Sequence, residues 1–299
     1  MTRNRASLGY LTRRLSGCAL AIAMALSPAL AADQSAETAS RVVAIGGSVT
    51  EIIHELGQQH RLVARDTTSQ FPDSVTRLPD VGYMRALSPE GVLSVDPDLI
   101  IALEGSGPPE TIEVLERASV PIVFVPETYD GEGVAAKIEA VGEALGVTAA
   151  AAAMAERVEA DIAAARDLAA ASGRQPLVMF ILTVQDGRIM ASGTGTAADG
   201  IITLAGGRNV IDAYEGYRQL TDEAIIEAAP DVILMMDRGG AQGTAPTDLT
   251  TIPAIASTPA GAEGRIIHMN GSYLLGFGPR TASAVRDLAA SLHAETVGE

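Results

Sequence analysis

The most distinctive chemistry in this chain of 299 residues lies in the segment LPDVGYMRALS at 78–88. Pro79 and Gly82 mark a loop leading into an extended stretch, and in extended backbone residues i and i+2 point the same way. Tyr83 and Arg85 then face one space while Met84 turns aside. A guanidinium within hydrogen-bond reach of a phenol favours the phenolate. A phenolate oxygen is a hard ligand suited to ferric iron. Taken bare, the same pair also describes a packed loop tyrosine beside a surface arginine.

Other chemistries find no template. There is no G-x-S-x-G elbow, and the glycine-rich stretch from Gly193 to Gly200 has neither dinucleotide spacing nor a P-loop lysine, so it reads as a strand-to-helix turn. His54-Glu55 resembles the start of a zinc-protease motif, but the next histidine is His60, and a six-residue step carries the two imidazoles off one helix face. His268 and His293 lie far away in sequence. The single cysteine, Cys18, leaves no cysteine-based metal site or disulfide once the leader is removed.

That leader spans residues 1–31. It carries Arg3, Arg5, Arg13 and Arg14, an apolar run from Cys18 to Leu26, and Ala29-Leu30-Ala31, and reads as a cleaved secretory signal peptide. Its Leu15-Ser-Gly-Cys18 precedes the apolar run that a lipobox should follow, and Arg13-Arg14 lacks the usual bulky apolar followers of a twin-arginine motif. The whole chain has a net charge of −16, and losing the four leader arginines takes it to about −20. Nucleic acid and anionic membrane surfaces are then poor partners. Export without disulfides points to a bacterial periplasm. No later run is apolar for the ~20 residues a membrane span needs.

Positioning Tyr83 and Arg85 requires a scaffold, and its elements are legible as an α/β pattern. Short apolar runs at Val42–Ile45, Leu99–Leu103 and Ile122–Val125 alternate with helix-period segments at Ser48–Leu56, Pro89–Ser94, Pro109–Ala118 and Gly131–Leu145. Such alternation signals βαβ units on a parallel sheet. A second series has strands near Leu177–Leu182 and Val232–Met236 and helices at Ala197–Leu204, Asp222–Ala228 and Arg280–His293. Between them Thr148–Ala171 is alanine-rich and free of Gly and Pro, which predicts one long helix and lobes that move little. The expected organisation is an N-terminal lobe at 41–147, a connecting helix at 148–172 and a C-terminal lobe at 175–299.

An internal repeat supports two lobes: SPEGVLSVDPDLII at 88–101 aligns without gaps on TDEAIIEAAPDVIL at 221–234. Each copy predicts a Ser or Thr N-cap, an acidic residue in the first helical turn (Glu90, Glu223) and a Pro-Asp ahead of a buried strand.

The combination of DTTSQFP at 66–72, LPDVGYMR at 78–85 and SPEGVLSVDPDLII resembles the haem-binding periplasmic proteins of bacterial ABC importers, within the superfamily that binds iron chelates and cobalamin. The likeness continues through Gly195–Asp199, Leu204–Asn209, Glu215–Tyr217 and Leu274–Arg280. It implies two Rossmann-like lobes joined by one long helix, with ferric haem between them. It further implies Tyr83 as the axial tyrosinate, Arg85 hydrogen-bonded to it, and Glu90 and Glu223 docking onto an inner-membrane permease driven by its own ATPase. Such a protein is a monomer without catalytic activity. The histidine that some relatives supply for a second haem has no counterpart between His60 and His268. Tyr273, Phe277 and Met190 are candidate wall residues, and Arg188, Arg238 and Arg280 candidate propionate partners. The alternative cargo within this fold is a ferric siderophore or cobalamin. Rivals from other classes are an exported enzyme using the same cleft and a structural envelope protein that binds nothing.

Overall fold

A computed structural model describes residues 39–237 and 248–294; the expected leader at 1–31 and Arg238 lie outside them. The first half runs β1 (Val42–Ile45), α1 (Gly47–Glu55), β2 (Leu62–Arg65), α2 (Pro89–Leu93), β3 (Leu99–Leu103), α3 (Pro109–Arg117), β4 (Ile122–Val125) and α4 (Gly131–Ala144). Its four strands form one sheet in the order β2-β1-β3-β4, every neighbour parallel. Every residue of β1 and β3 is buried, which is why both read as unbroken apolar runs.

Helix α5 (Thr148–Ala170) joins the halves. It lays Ala151, Ala155, Val158, Ile162 and Ala169 against the core. The second half runs β5 (Leu177–Gln185), β6 (Arg188–Ser192), α6 (Ala197–Leu204), β7 (Arg208–Asn209), β8 (Tyr217–Gln219), α7 (Asp222–Ala228), β9 (Val232–Asp237), α8 (Pro253–Ala256), α9 (Pro259–Ala262), β10 (Ile266–Asn270), α10 (Gly271–Leu275) and α11 (Thr281–His293). The chain therefore has the expected architecture of two Rossmann-like lobes on central parallel sheets, linked by a long helix that packs against α4 and α11.

The second sheet departs from a purely parallel one. Strands β10, β9, β5 and β7 are parallel, but β6 runs antiparallel to β5, and β8 antiparallel to β6. The reason is local: β5 continues past Leu182 to Gln185 and reverses at Asp186-Gly187, whose φ values of 50° and 74° suit a two-residue Asp-Gly hairpin turn.

The repeat has a structural meaning. Ser88 Oγ accepts from the Gly91 N–H at 3.0 Å, and Thr221 Oγ1 from the Ala224 N–H at 3.2 Å, capping α2 and α7 alike. Asp98 then accepts from the Arg41 N–H at 2.8 Å beside β1, and Asp231 from the Leu177 N–H at 2.8 Å at the start of β5. Each repeat thus ends a helix, starts a central strand and pins the start of its neighbour with the same carboxylate.

A buried polar clamp fixes the lobes to one another. Lys137 on α4 has no exposed surface; its Nζ donates to Glu127 Oε1 at 2.6 Å, to the Phe277 carbonyl at 3.1 Å and to Ser48 Oγ at 3.3 Å. Burial pulls its ammonium below the usual lysine range, against the opposing pull of Glu127. Arg280 donates to both Glu51 oxygens, at 2.8 and 2.6 Å, and its guanidinium lies over the Phe71 ring at 3.9 Å and the Tyr273 ring at 5.2 Å. Burial pushes the Glu51 carboxyl up while Arg280 holds it down. Phe277 takes a φ of 44°, a strained region for a bulky residue, so the clamp holds the backbone against its own preference.

Two outcomes follow for stability. Lys137→Met is expected to cost about 3 kcal/mol in urea unfolding, because it strands a largely buried carboxylate and a buried carbonyl; a loss below about 1 kcal/mol contradicts this account. Burial of Asp98 is outweighed by its hydrogen bonds from Ser40 and Arg41, which hold its carboxyl below the ordinary value of 3.8. A lowered folded value means stability present above 3.8 and lost as pH falls through the folded value. Asp98→Asn is therefore expected to lower stability by about 1 kcal/mol at neutral pH, with the gap narrowing as pH falls below 3.8. Paired urea melts at the two pH values check it.

Candidate ligand-binding cleft

The wall supplied by the N-terminal lobe is built by the DTTSQFP loop. Asp66, fully buried, sits at the N-terminus of α1, where a negative charge meets free amide groups. Its Oδ1 accepts from the Gly46 N–H at 2.9 Å and Ser69 Oγ at 2.8 Å, and its Oδ2 from the Thr68 N–H at 3.0 Å. The next residue, Thr67, donates its N–H to the Gly82 carbonyl at 2.9 Å, and Arg65 pairs with Asp80 at 2.7 Å. This network holds the LPDVGYMR segment in place.

The expected extended stretch is instead a turn. Ala86 N–H donates to the Tyr83 carbonyl at 2.7 Å, placing Met84 and Arg85 at the turn's centre. Met84 is buried and its carbonyl accepts from the Gly107 N–H at 2.9 Å, while Tyr83 and Arg85 are exposed. Tyr83 is 47 % exposed, and its hydroxyl has no hydrogen-bond partner among the described residues.

The charge of Arg85 reaches both Tyr129, which follows β4, and Tyr217 at the start of β8, so its guanidinium addresses both lobes. Tyr129 lies directly on α6, filling the space a side chain at Gly200 would need, and packs edge-on against Phe277 at 5.2 Å. The facing wall is the β5–β6–β8 hairpin. Its register pairs Thr183 with Met190, Gln185 with Arg188, Met190 with Gln219 and Ser192 with Tyr217. Paired residues share a face, so Arg188, Met190 and Tyr217 project from one face of the hairpin, where the Arg85 charge reaches Tyr217. The opposite face, with Ile189 and Ala191, is buried in a separate apolar cluster. Met190 is 37 % exposed.

The tyrosines divide by their surroundings. Burial raises the Tyr217 phenol, whose hydroxyl bonds Ser192 and Thr196. Burial likewise raises Tyr214, which donates to the Ala191 carbonyl at 3.1 Å, and Tyr129, where the Glu127 charge adds to it. Tyr273 is pushed up to about 12 by burial and by donating to Asp287 at 2.8 Å. These four are held as neutral phenols. Among the described residues no cluster of three or more His, Cys, Asp or Glu is placed to hold a metal ion, and Tyr83 alone of the five described tyrosines is exposed to solvent.

Other candidates fall elsewhere. Tyr273, Phe277 and Arg280 belong to the interlobe clamp. Glu90 and Glu223 sit exposed in the first turns of α2 and α7, and hydrogen bonds from its own N–H and the Thr221 hydroxyl hold the Glu223 carboxyl below the usual range. His268 pairs with Asp237 at 3.1 Å. Tyr129, Tyr217, Asp66 and Lys137 were not anticipated; the Asp186-Gly187 dipeptide was the available sign of the hairpin that carries Tyr217's neighbours. The cleft lies at the carboxyl ends of β2, β4 and β5, where open α/β sheets bind ligands. A concavity of about 380 Å³ between Arg174, Asp231, Glu263 and Arg265 is at the opposite ends of β5 and β9.

Comparison with known proteins matches this geometry to a family. The periplasmic haem-binding protein BhuT, in complex with two haems, is 41% identical, with a TM-score of 0.79 over 85% of this chain and 97% of BhuT. An uncharacterised ABC transporter substrate-binding lipoprotein, YvrC of Bacillus subtilis (strain 168), is 26% identical over 87% of this chain and 82% of its own. A vitamin B12-binding protein of Yersinia pestis (strain Pestoides F) is 26% identical over 67% and 70%. Among the described residues no helix is long and apolar enough to cross a membrane. Residues 42–273 match the periplasmic binding protein family, and the chain belongs to it: a substrate-binding transport protein, not an enzyme.

Proposed function

We propose that this protein is the periplasmic component of an ABC haem importer, which holds ferric haem between its lobes through the Tyr83 oxygen and delivers it to an inner-membrane permease. The observation that carries the reading is the Tyr83–Arg85 turn. It presents one exposed phenol without a hydrogen-bond partner, two residues from an exposed arginine, in a cleft whose other two tyrosines, Tyr129 and Tyr217, have their phenols raised by burial. The 41% identity of a haem-binding relative across nearly its whole length supports haem as the cargo.

A tyrosine oxygen as axial donor favours the ferric state. Arg85 stabilises the bound phenolate by charge and by donating to it. The haem's apolar faces suit a cleft walled by Met190 and the rings of Tyr217 and Tyr129. Cobalamin is the second reading, and the vitamin B12-binding relative is the observation in its favour. Glu90 and Glu223 act on the outside of the molecule as a symmetric pair of docking carboxylates, one per lobe. Their equivalent positions in the repeat support this.

Haemin titration of the purified protein, read by absorption, is expected to saturate with a ferric phenolate charge-transfer band. Tyr83→Phe is expected to abolish that band. Arg85→Ala is expected to weaken binding by about tenfold, as for other partners of a metal ligand. Saturable cyanocobalamin binding in the absence of haemin binding overturns the haem assignment. For docking, the double variant Glu90→Ala/Glu223→Ala is expected to bind haemin normally yet fail to stimulate the permease ATPase in liposomes. Undiminished stimulation rejects the docking role.

A further inference from the structure

The free face of the β5–β6–β8 hairpin carries Thr183, Gln185, Arg188, Met190, Tyr217 and Gln219. Tyr217 is anchored beneath it by Ser192 and by Thr196, the N-cap of the same helix α6 against which Tyr129 of the first lobe packs, so this face borders the cleft. Along it the chemistry is graded. The ring of Tyr217 and the half-exposed thioether of Met190 lie towards the sheet, while Arg188 and Gln185 stand as a cross-strand pair at the hairpin's tip.

Arg188 is exposed and engages no hydrogen bond or ion pair among the described residues. In a chain of net charge −16 an unpaired guanidinium beside an apolar wall is a scarce resource. The other two arginines considered for the same task are not available within the described structure: Arg280 is committed to Glu51 and Arg238 lies outside it. On the reverse face of the hairpin, Arg218 stacks on Tyr214 at 5.0 Å and points away from the cleft.

We infer that Arg188 is the specificity-determining residue of the cleft, pairing with the carboxylates at the rim of an iron porphyrin while its apolar body rests on Met190 and Tyr217. This rests on the haem reading above and adds to it which edge of the cargo is recognised and by what. A corrin, whose periphery carries neutral amides, gains nothing from that guanidinium. The site thereby prefers a dicarboxylate macrocycle over an uncharged one of similar size.

The test compares haemin with its dimethyl ester, which keeps iron and ring but lacks both charges, each titrated against the full chain in dilute detergent. Wild type is expected to bind haemin at least about tenfold more tightly than the ester, the scale of one charge-assisted pair. Arg188→Gln is expected to erase that preference by weakening haemin alone, while Arg218→Gln leaves it intact. Arg188→Lys is expected to restore part of it. Loss of affinity for both porphyrins in Arg188→Gln, or an unchanged preference, overturns the assignment while leaving haem as the cargo. A wild type that binds neither porphyrin overturns the haem reading, and the role of Arg188 with it.

Discussion

The ammonium of Lys137 is the constraint on which the arrangement of this molecule depends. A lysine with no solvent contact is tolerable only if the groups around it take up its charge and all three donors. Here those groups come from both lobes: Glu127 and Ser48 from the first, the carbonyl of Phe277 from the second. Satisfying one buried charge therefore fixes the distance between two sheets. The Glu51–Arg280 pair, with its guanidinium between the Phe71 and Tyr273 rings, repeats the arrangement nearer the surface. Phe71 belongs to the same DTTSQFP loop whose Thr67 N–H bonds the Gly82 carbonyl beside Tyr83, so interlobe geometry and ligand presentation share one stretch of chain.

Symmetry supplies the rest of the scaffold and also shows where it was broken. Asp98 and Asp231 perform one task in two lobes, tying a central strand to the start of its neighbour. The carboxyl ends of those sheets differ. The first lobe opens into long loops that carry the Tyr83 turn, whereas the second extends β5 into a hairpin and offers a flat wall. A planar ligand suits such asymmetry, with one wall to donate a single atom and another to cover a face.

Much of this was legible in the residues. The buried strands VVAI and LIIAL, the alanine-rich α5 and both repeat caps follow from period, propensity and capping chemistry, which act locally. The short strands β2 and β10 escaped notice, being amphipathic pieces with Arg65 and His268 within them. The Tyr83–Arg85 stretch was expected to be extended and is a turn, closed by the Ala86 N–H on the Tyr83 carbonyl and tied through the Met84 carbonyl to Gly107, a residue no local pattern links to it. Lys137 was not singled out, and Arg280 stood among the candidate propionate partners. Their burial and pairing depend on residues far along the chain that no local pattern links to them.

Those sequence separations carry a consequence for how the protein comes into being. Lys137 must wait for a carbonyl 140 residues further on, and Glu51 for a guanidinium 229 residues further on. Emerging amino end first, from a ribosome or a translocation pore, the first lobe can collapse around its own sheet, but it holds a charge without its full set of partners until almost the whole chain has appeared. The stretch from Phe277 to Arg280, just ahead of the last helix, thus acts as a completion signal: a product that ends before it keeps an unsatisfied lysine and an open seam.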